Sequence, residues 1–339
     1  MSYQIGIDTI RLTPASRLAH TEYCDHEPFM GLVAQRTGKP FMQAWEYDMI
    51  WHTEHGPIDW ASRGRVTDMG HATFMEGGKD FRQPKPCPFA DAQQVLAFDA
   101  VREYGPITVE ELVPDYQRSI RDRTETNPDS VNMGGYYRTI VSGAIEAFGW
   151  DMSLTAAADA DAFENVLDSF FRLAMIHVQA WARTSAEVFM CHDDMVWTSG
   201  PFMDPGFYRR AIFPRYAQLW KVLRDAGKKV LYTSDGDYLM FLDDLVAAGA
   251  DGFVFEPVMP LKQVVAKVGK THVIAGSCVD CRTLTFGTQK QIQKEIDATL
   301  ELAFDCPGFF FAVGNHLPVN IPIERLLYYF EYLSHNWFR

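Results

Sequence analysis

This sequence has little that would take it into a membrane or onto a nucleic acid. None of its 339 residues belongs to an apolar run approaching the roughly 18 residues that a transmembrane helix needs. Basic residues are scarce: 31 Lys and Arg against 44 Asp and Glu leave a net charge of −13. That balance excludes a phosphate backbone and an anionic membrane surface as partners. The start, Met1-Ser-Tyr-Gln-Ile-Gly-Ile-Asp-Thr, lacks a basic segment followed by an apolar one, so a cytoplasmic location is expected. Cysteine is sparse too, at positions 24, 87, 191, 278, 281 and 306, too thinly spread for a disulfide framework. Cys278-Val-Asp-Cys281 is a C-x-x-C without a second pair, which excludes a four-thiolate zinc site. Repeats, low-complexity tracts and linkers are also missing, so a single domain over residues 1–339 is expected.

What is present is a pattern in the second half. Five apolar runs end abruptly in residues able to do chemistry. Glu187-Val-Phe-Met190 leads into Cys191-His192-Asp193-Asp194, and Lys229-Val-Leu-Tyr232 into Thr233-Ser234-Asp235-Gly236. Gly252-Phe-Val-Phe255 leads into Glu256, His272-Val-Ile-Ala275 into Gly276-Ser277-Cys278, and Phe309-Phe-Phe-Ala-Val313 into Gly314-Asn315-His316. Short apolar runs spaced by helical patterns are how buried parallel strands read. Polar residues at their C-terminal ends mark the active face of a (β/α)8 TIM barrel, the fold expected here, with an N-terminal extension and long loops over the barrel mouth.

Between the runs the periodicity predicts helices over Asp204–Ala226 (interrupted by Pro214), Tyr238–Ala248, Leu261–Val268, Thr288–Phe304 and Ile323–Leu333. Most of these stop at a glycine or proline. In the first half, Phe41–Met49 and Tyr137–Gly143 read as strands and Glu164–Arg183 as a long amphipathic helix. Residues 50–88, with Trp51, His52, His55, Trp60 and His71 among many Gly and Pro, read as an irregular excursion over the mouth.

The stretch from Asp193-Asp194 through Thr233-Ser-Asp-Gly236, Gly249-Ala-Asp-Gly252, Asp280-Cys-Arg-Thr-Leu284 and Gly314-Asn-His316 resembles the uroporphyrinogen decarboxylase superfamily, from about residue 170 to the C-terminus. The resemblance implies a (β/α)8 barrel acting as a decarboxylase or a cobalamin-dependent methyltransferase. Two departures matter. Arg11, Arg17 and Arg36 are scattered and form no Arg-x-x-x-Arg, so the arginines that hold porphyrin carboxylates in the decarboxylases are not matched. The His-x-Cys and late Cys that bind zinc in the thiol-alkylating methyltransferases are replaced by Thr233-Ser234-Asp235 and Gly314-Asn315-His316. The Thr-Ser-Asp-Gly, Phe-Glu-Pro and Gly-Asn-His signatures resemble the branch acting on methyl ethers and related donors.

The expected site follows. Glu256, Cys278 and His316 form a mixed O, S and N set suited to zinc, although each also has a plain reading as a capped, buried or loop residue. Asp235 is a proton donor or a residue supporting a ligand. Asp193 and Asp194 are further catalytic candidates, of which at most one looks into the barrel, since neighbours on a strand point to opposite faces. Trp51, Tyr137, His192 and Trp197, with Phe202, wall a substrate pocket. The expected reaction moves a methyl group from an O- or N-methylated small molecule to the Co(I) of a separate corrinoid protein. The rival expectations are a decarboxylase on a small carboxylate and a barrel that binds ligand without catalysis. A second copy of the chain, as a homodimer, is the other partner expected.

Overall fold

The computed structural model describes residues 2–53, 73–75, 79–81, 87–314 and 316–339. Eight strands form a closed parallel ring. They are β1 (Ala19–His20), β2 (Met49–Ile50), β3 in two pieces (Val131–Asn132 and Gly134–Tyr136), β4 (Val188–His192), β5 (Lys229–Thr233), β6 (Gly252–Phe255), β7 (Val273–Gly276) and β8 (Phe309–Phe311). Every step from β3 through β8 is a parallel ladder, as is the step from β2 to β3. The ring closes where Ala19 pairs with Phe310, and where the Asp48 amide donates to the His20 carbonyl at 2.8 Å. The barrel is therefore the (β/α)8 architecture that the five apolar runs predict.

Alternation along these strands makes two cores. Inside the ring lie Ala19, Met49, Val131, Met133, Val188, Met190, Leu231, Val254, Val273, Ala275 and Phe310, and the N-terminal helix α1 (Ser2–Ile10) closes one end with Ile7 and Ile10. Outside, Phe189, Cys191, Tyr232, Phe255 and Phe311 pack against the helical layer. Both faces are apolar because both are buried, which is why these strands read as continuous hydrophobic runs.

The helical layer includes α2 (Val141–Phe148), α3 (Ala160–Ala182), α4 (Phe213–Asp225), α5 (Leu242–Ala248), α6 (Leu261–Val268), α7 (Gln289–Ala303) and α8 (Ile323–Asn336). Pro214 does not break its helix. A wide π-turn over Tyr208–Ile212 precedes α4, which places Pro214 in the first turn, where a missing N–H costs nothing. Two strand readings are corrected. Phe41–Ala44 is a short helix, with extended chain only from Met49, and Tyr137–Gly143 runs from the end of β3 into the start of α2. All eight residues of α2 are buried, Ser142 and Glu146 included, so no solvent-facing stripe betrays a helical period. Most of the 50–88 excursion, His55, Trp60 and His71 included, lies outside the described residues, as does Asn315; a hairpin pairs Thr73–Met75 with Lys79–Phe81. Among the described residues, no helix is long and apolar enough to cross a membrane.

Candidate functional site

The alternation that puts Val188 and Met190 inside the barrel carries His192 to the mouth, and the same step from Leu231 and Val254 carries Asp235 and Glu256 there. His192 and Asp194 face each other, with Nε2 3.2 Å from Oδ1. Asp194 is a hub. Its Oδ1 also accepts the Asp235 amide at 2.8 Å, and its Oδ2 lies 3.5 Å from the Tyr137 hydroxyl. The Tyr137 ring sits against the imidazole, centroids 4.2 Å apart. Burial first, then the charges of Asp194, Glu146 and Asp235, hold the Tyr137 phenol well above its ordinary value, so it stays a neutral donor.

Glu256 joins this rim through the turn after β5: its Oε1 accepts the Gly236 amide at 2.9 Å. Gly236 has φ +82°, and a Cβ there would stand 2.6 Å from the Trp197 carbonyl. Only glycine lets this turn press against the hairpin of Val196–Trp197 and Gly200–Pro201. Trp197 is 42% exposed and meets Trp150 and Phe202 in an aromatic patch on the rim. Trp51 packs on the inner core at the end of β2.

Asp193 turns the other way. It is fully buried behind β4, where its carboxylate accepts the amides of Ile140 and Val141 at 3.2 Å and of Ser142 at 2.6 Å, plus the Tyr216 hydroxyl at 2.6 Å. It therefore caps the N-terminus of α2 rather than serving substrate, which corrects its place among the catalytic candidates. Burial holds this carboxyl above its ordinary range, an effect that its four donors, the Tyr216 hydroxyl most, offset only in part. Asp194 is the member of the pair that looks into the mouth.

The expected zinc set does not assemble. Among the described residues, no three His, Cys, Asp or Glu side chains are grouped so as to hold a metal ion. Cys278 packs in the outer core, its Sγ donating to the Gly276 carbonyl and receiving the Ala312 amide, each at 3.3 Å. Burial holds the thiols of Cys278 and Cys281 well above their ordinary values. Cys281 donates to the His316 carbonyl at 3.3 Å, and His316 itself is buried in a short parallel pairing with Tyr23. Both members of the C-x-x-C are free thiols.

Sequence reasoning passed over two residues that shape this region. Ser142, read as part of a strand, sits between the helix and both aspartates: its Oγ accepts the Asp194 amide at 2.6 Å. Glu22 is buried at the far side of the ring, where it accepts the Val313 amide and the Tyr329 hydroxyl and so ties β8 to the segment after β1. A serine at a helix start and an acid after a two-residue strand leave no pattern that a single sequence reveals.

The fold is similar to that of a methyltransferase from Methanosarcina mazei, with a TM-score of 0.65 at 15% identity over 98% of both chains. It is more distantly similar to a D-psicose 3-epimerase from Clostridium cellulolyticum H10, with a TM-score of 0.38 at 10% identity over 72% of this chain and 91% of that one. No curated protein matches the sequence. The family model for uroporphyrinogen decarboxylase (URO-D) matches residues 151–335, which takes in β4 through β8, His192, Asp194, Asp235 and Glu256, and on that match the chain belongs to the URO-D family.

Proposed function

We propose that this chain is an enzyme that transfers a methyl group from an O- or N-methylated small molecule to the Co(I) of a corrinoid protein. The observation that carries the reading is the His192–Asp194 pair at the barrel mouth, 3.2 Å apart with Tyr137 and Asp235 around it. Breaking the bond between a methyl group and oxygen or nitrogen leaves an electron pair on the heteroatom, and an acid that protonates it lowers the barrier. A carboxylate beside an imidazole orients the ring, so His192 delivers the proton and Asp194 holds the ring in place. The methyl group departs to the corrinoid, which supplies the nucleophile. The thiols of Cys191, Cys278 and Cys281 are buried and held above their ordinary values, which does not suit them to act as the nucleophile.

Leaving-group activation by zinc is not favoured, because among the described residues Glu256, Cys278 and His316 do not come together as a donor set for that ion. The acidic rim of Asp194, Asp235 and Glu256 counts against decarboxylation of a small carboxylate, whose charge it would repel.

The test is to supply the purified chain with a panel of methyl ethers and methylamines and with cob(I)alamin as acceptor, following methylcobalamin by absorbance. At least one donor is expected to react, and His192→Gln and Asp194→Asn are expected to slow the reaction by about 100-fold or more. Carbon dioxide release from a carboxylated substrate without any methylation, or full activity in His192→Gln, would overturn the reading.

A further inference from the structure

We propose that Ser142 is a positioning residue for the His192–Asp194 pair, which rests on the reading of that pair as the acid of the reaction. Ser142 is fully buried in the first turn of α2. It grips the chain beyond β4 from two directions. Its amide donates to Asp193 Oδ1, and its Oγ accepts the amide of Asp194, both at 2.6 Å. A single residue therefore holds two consecutive residues whose side chains point to opposite faces of the barrel wall.

The grip is backed by a rigid support. Tyr216 of α4 donates to Asp193 Oδ2 at 2.6 Å, and Ile140 and Val141 donate to the same oxygen, so Asp193 is pinned from two elements. With Asp193 unable to move, the Ser142 hydroxyl sets where the Asp194 backbone lies. From there the placement is passed on by Asp194 Oδ1, which meets His192 Nε2 at 3.2 Å and accepts the Asp235 amide at 2.8 Å. Both the imidazole and the turn after β5 are therefore located by a hydroxyl on the other side of the barrel wall. Small displacements of an acid from its leaving group are costly in rate, which is why such a clamp has consequences for turnover.

The test compares Ser142→Ala and Ser142→Thr with the unaltered chain, full length in each case. Amide hydrogen exchange is read at Asp235, whose amide is held by Asp194 Oδ1 and which Ser142 does not itself bond. In Ser142→Ala the urea midpoint is expected to drop as the Asp194 amide loses its acceptor, and protection of the Asp235 amide is expected to fall about tenfold further than that of the amides of β6. With a reactive donor, kcat is expected to drop by about 10- to 100-fold and KM to stay within about twofold, and Thr, which keeps the hydroxyl, is expected to restore both readouts. Unchanged exchange at Asp235 in Ser142→Ala would overturn the proposal, as would unchanged kcat in an enzyme that turns over. If no donor reacts even with the unaltered chain, the methyl-transfer reading fails, and the exchange measurement still decides whether Ser142 positions the pair.

Discussion

Replacing Asp193 by Asn separates a structural carboxylate from a catalytic one, and the size of the effect follows from its four partners. The Tyr216 hydroxyl and the Ser142 amide lie at 2.6 Å, and the amides of Ile140 and Val141 at 3.2 Å. All four are donors, so only the Tyr216 hydroxyl is able to turn and accept a proton from the group. Asn keeps one oxygen and aims an amide N–H2 at former donors. Two bonds to a full charge weaken by about 1 kcal/mol each, and at least one buried donor loses its partner at about 1–3 kcal/mol. The sum is about 4 kcal/mol, within the roughly 3–5 kcal/mol expected when a buried charge network is broken. Taking ~2.1 cal/mol/K per residue as the entropy of unfolding, a chain of 339 residues loses about 6 °C of Tm.

The assay is urea unfolding followed by tryptophan fluorescence and far-UV circular dichroism together, whose coincidence checks for a single transition. Asp194→Asn serves as the contrast: its remaining oxygen still accepts the Asp235 amide, so stability falls by only about 1 kcal/mol while activity is lost. If Asp193 were held protonated by its burial, Asn would be nearly isosteric and would cost less than about 1 kcal/mol. That result would refute the argument, and with it the separation of roles between the two aspartates.

Two further perturbations follow from buried groups away from the mouth. His177 is fully buried beneath β3, bonded to the Tyr116 hydroxyl at 2.5 Å and stacked on Tyr136, and burial lowers its pKa to about 3. Its neutral form is the folded form, so its contribution is complete above the unfolded value of about 6.5 and is lost as pH falls toward 3, at roughly 1.4 kcal/mol per unit. His177→Gln is therefore expected to lose about 2 kcal/mol less than the unaltered chain between pH 6.5 and 5 in paired urea titrations; a difference under about 0.5 kcal/mol would contradict it. Cys278→Ala removes a thiol bonded only to backbone groups, so a stability loss of about 1–2 kcal/mol with activity and metal content unaltered is expected. Elemental analysis showing stoichiometric zinc that disappears in this variant would restore Cys278 as a ligand.

The late strands were legible because a buried parallel strand must be apolar on both sides and must stop where solvent begins. The runs ending at Met190, Tyr232, Phe255, Ala275 and Val313 match β4 through β8 to within two residues. The same property hid the roles of their neighbours. Since both faces of β4 are apolar, nothing in Val188-Phe-Met-Cys191 says which face is axial, and so nothing says whether Asp193 or Asp194 enters the mouth. The answer required the inner core through Val188 and Met190. The early strands failed for a different reason. β1 and β2 are two residues each, too short to carry a period, and α2 is buried all round with only Ser142 and Glu146 polar, so the segment after Tyr137 reads as extended. Ser142 was lost in that misreading. The zinc set failed for the remaining reason: Glu256, Cys278 and His316 each follow a strand end, but convergence depends on the turn taken there. After β7 the chain turns Cys278 into the outer core, while Gly314, at φ +91° with room for no Cβ because the Phe255 carbonyl would stand 1.9 Å away, bends the chain after β8 tightly over β6. Position along a strand is written in hydrophobicity; direction beyond its end is set by backbone angles at single glycines and by partners distant in sequence. A site built from strand ends is therefore located by its sequence before its members can be assigned.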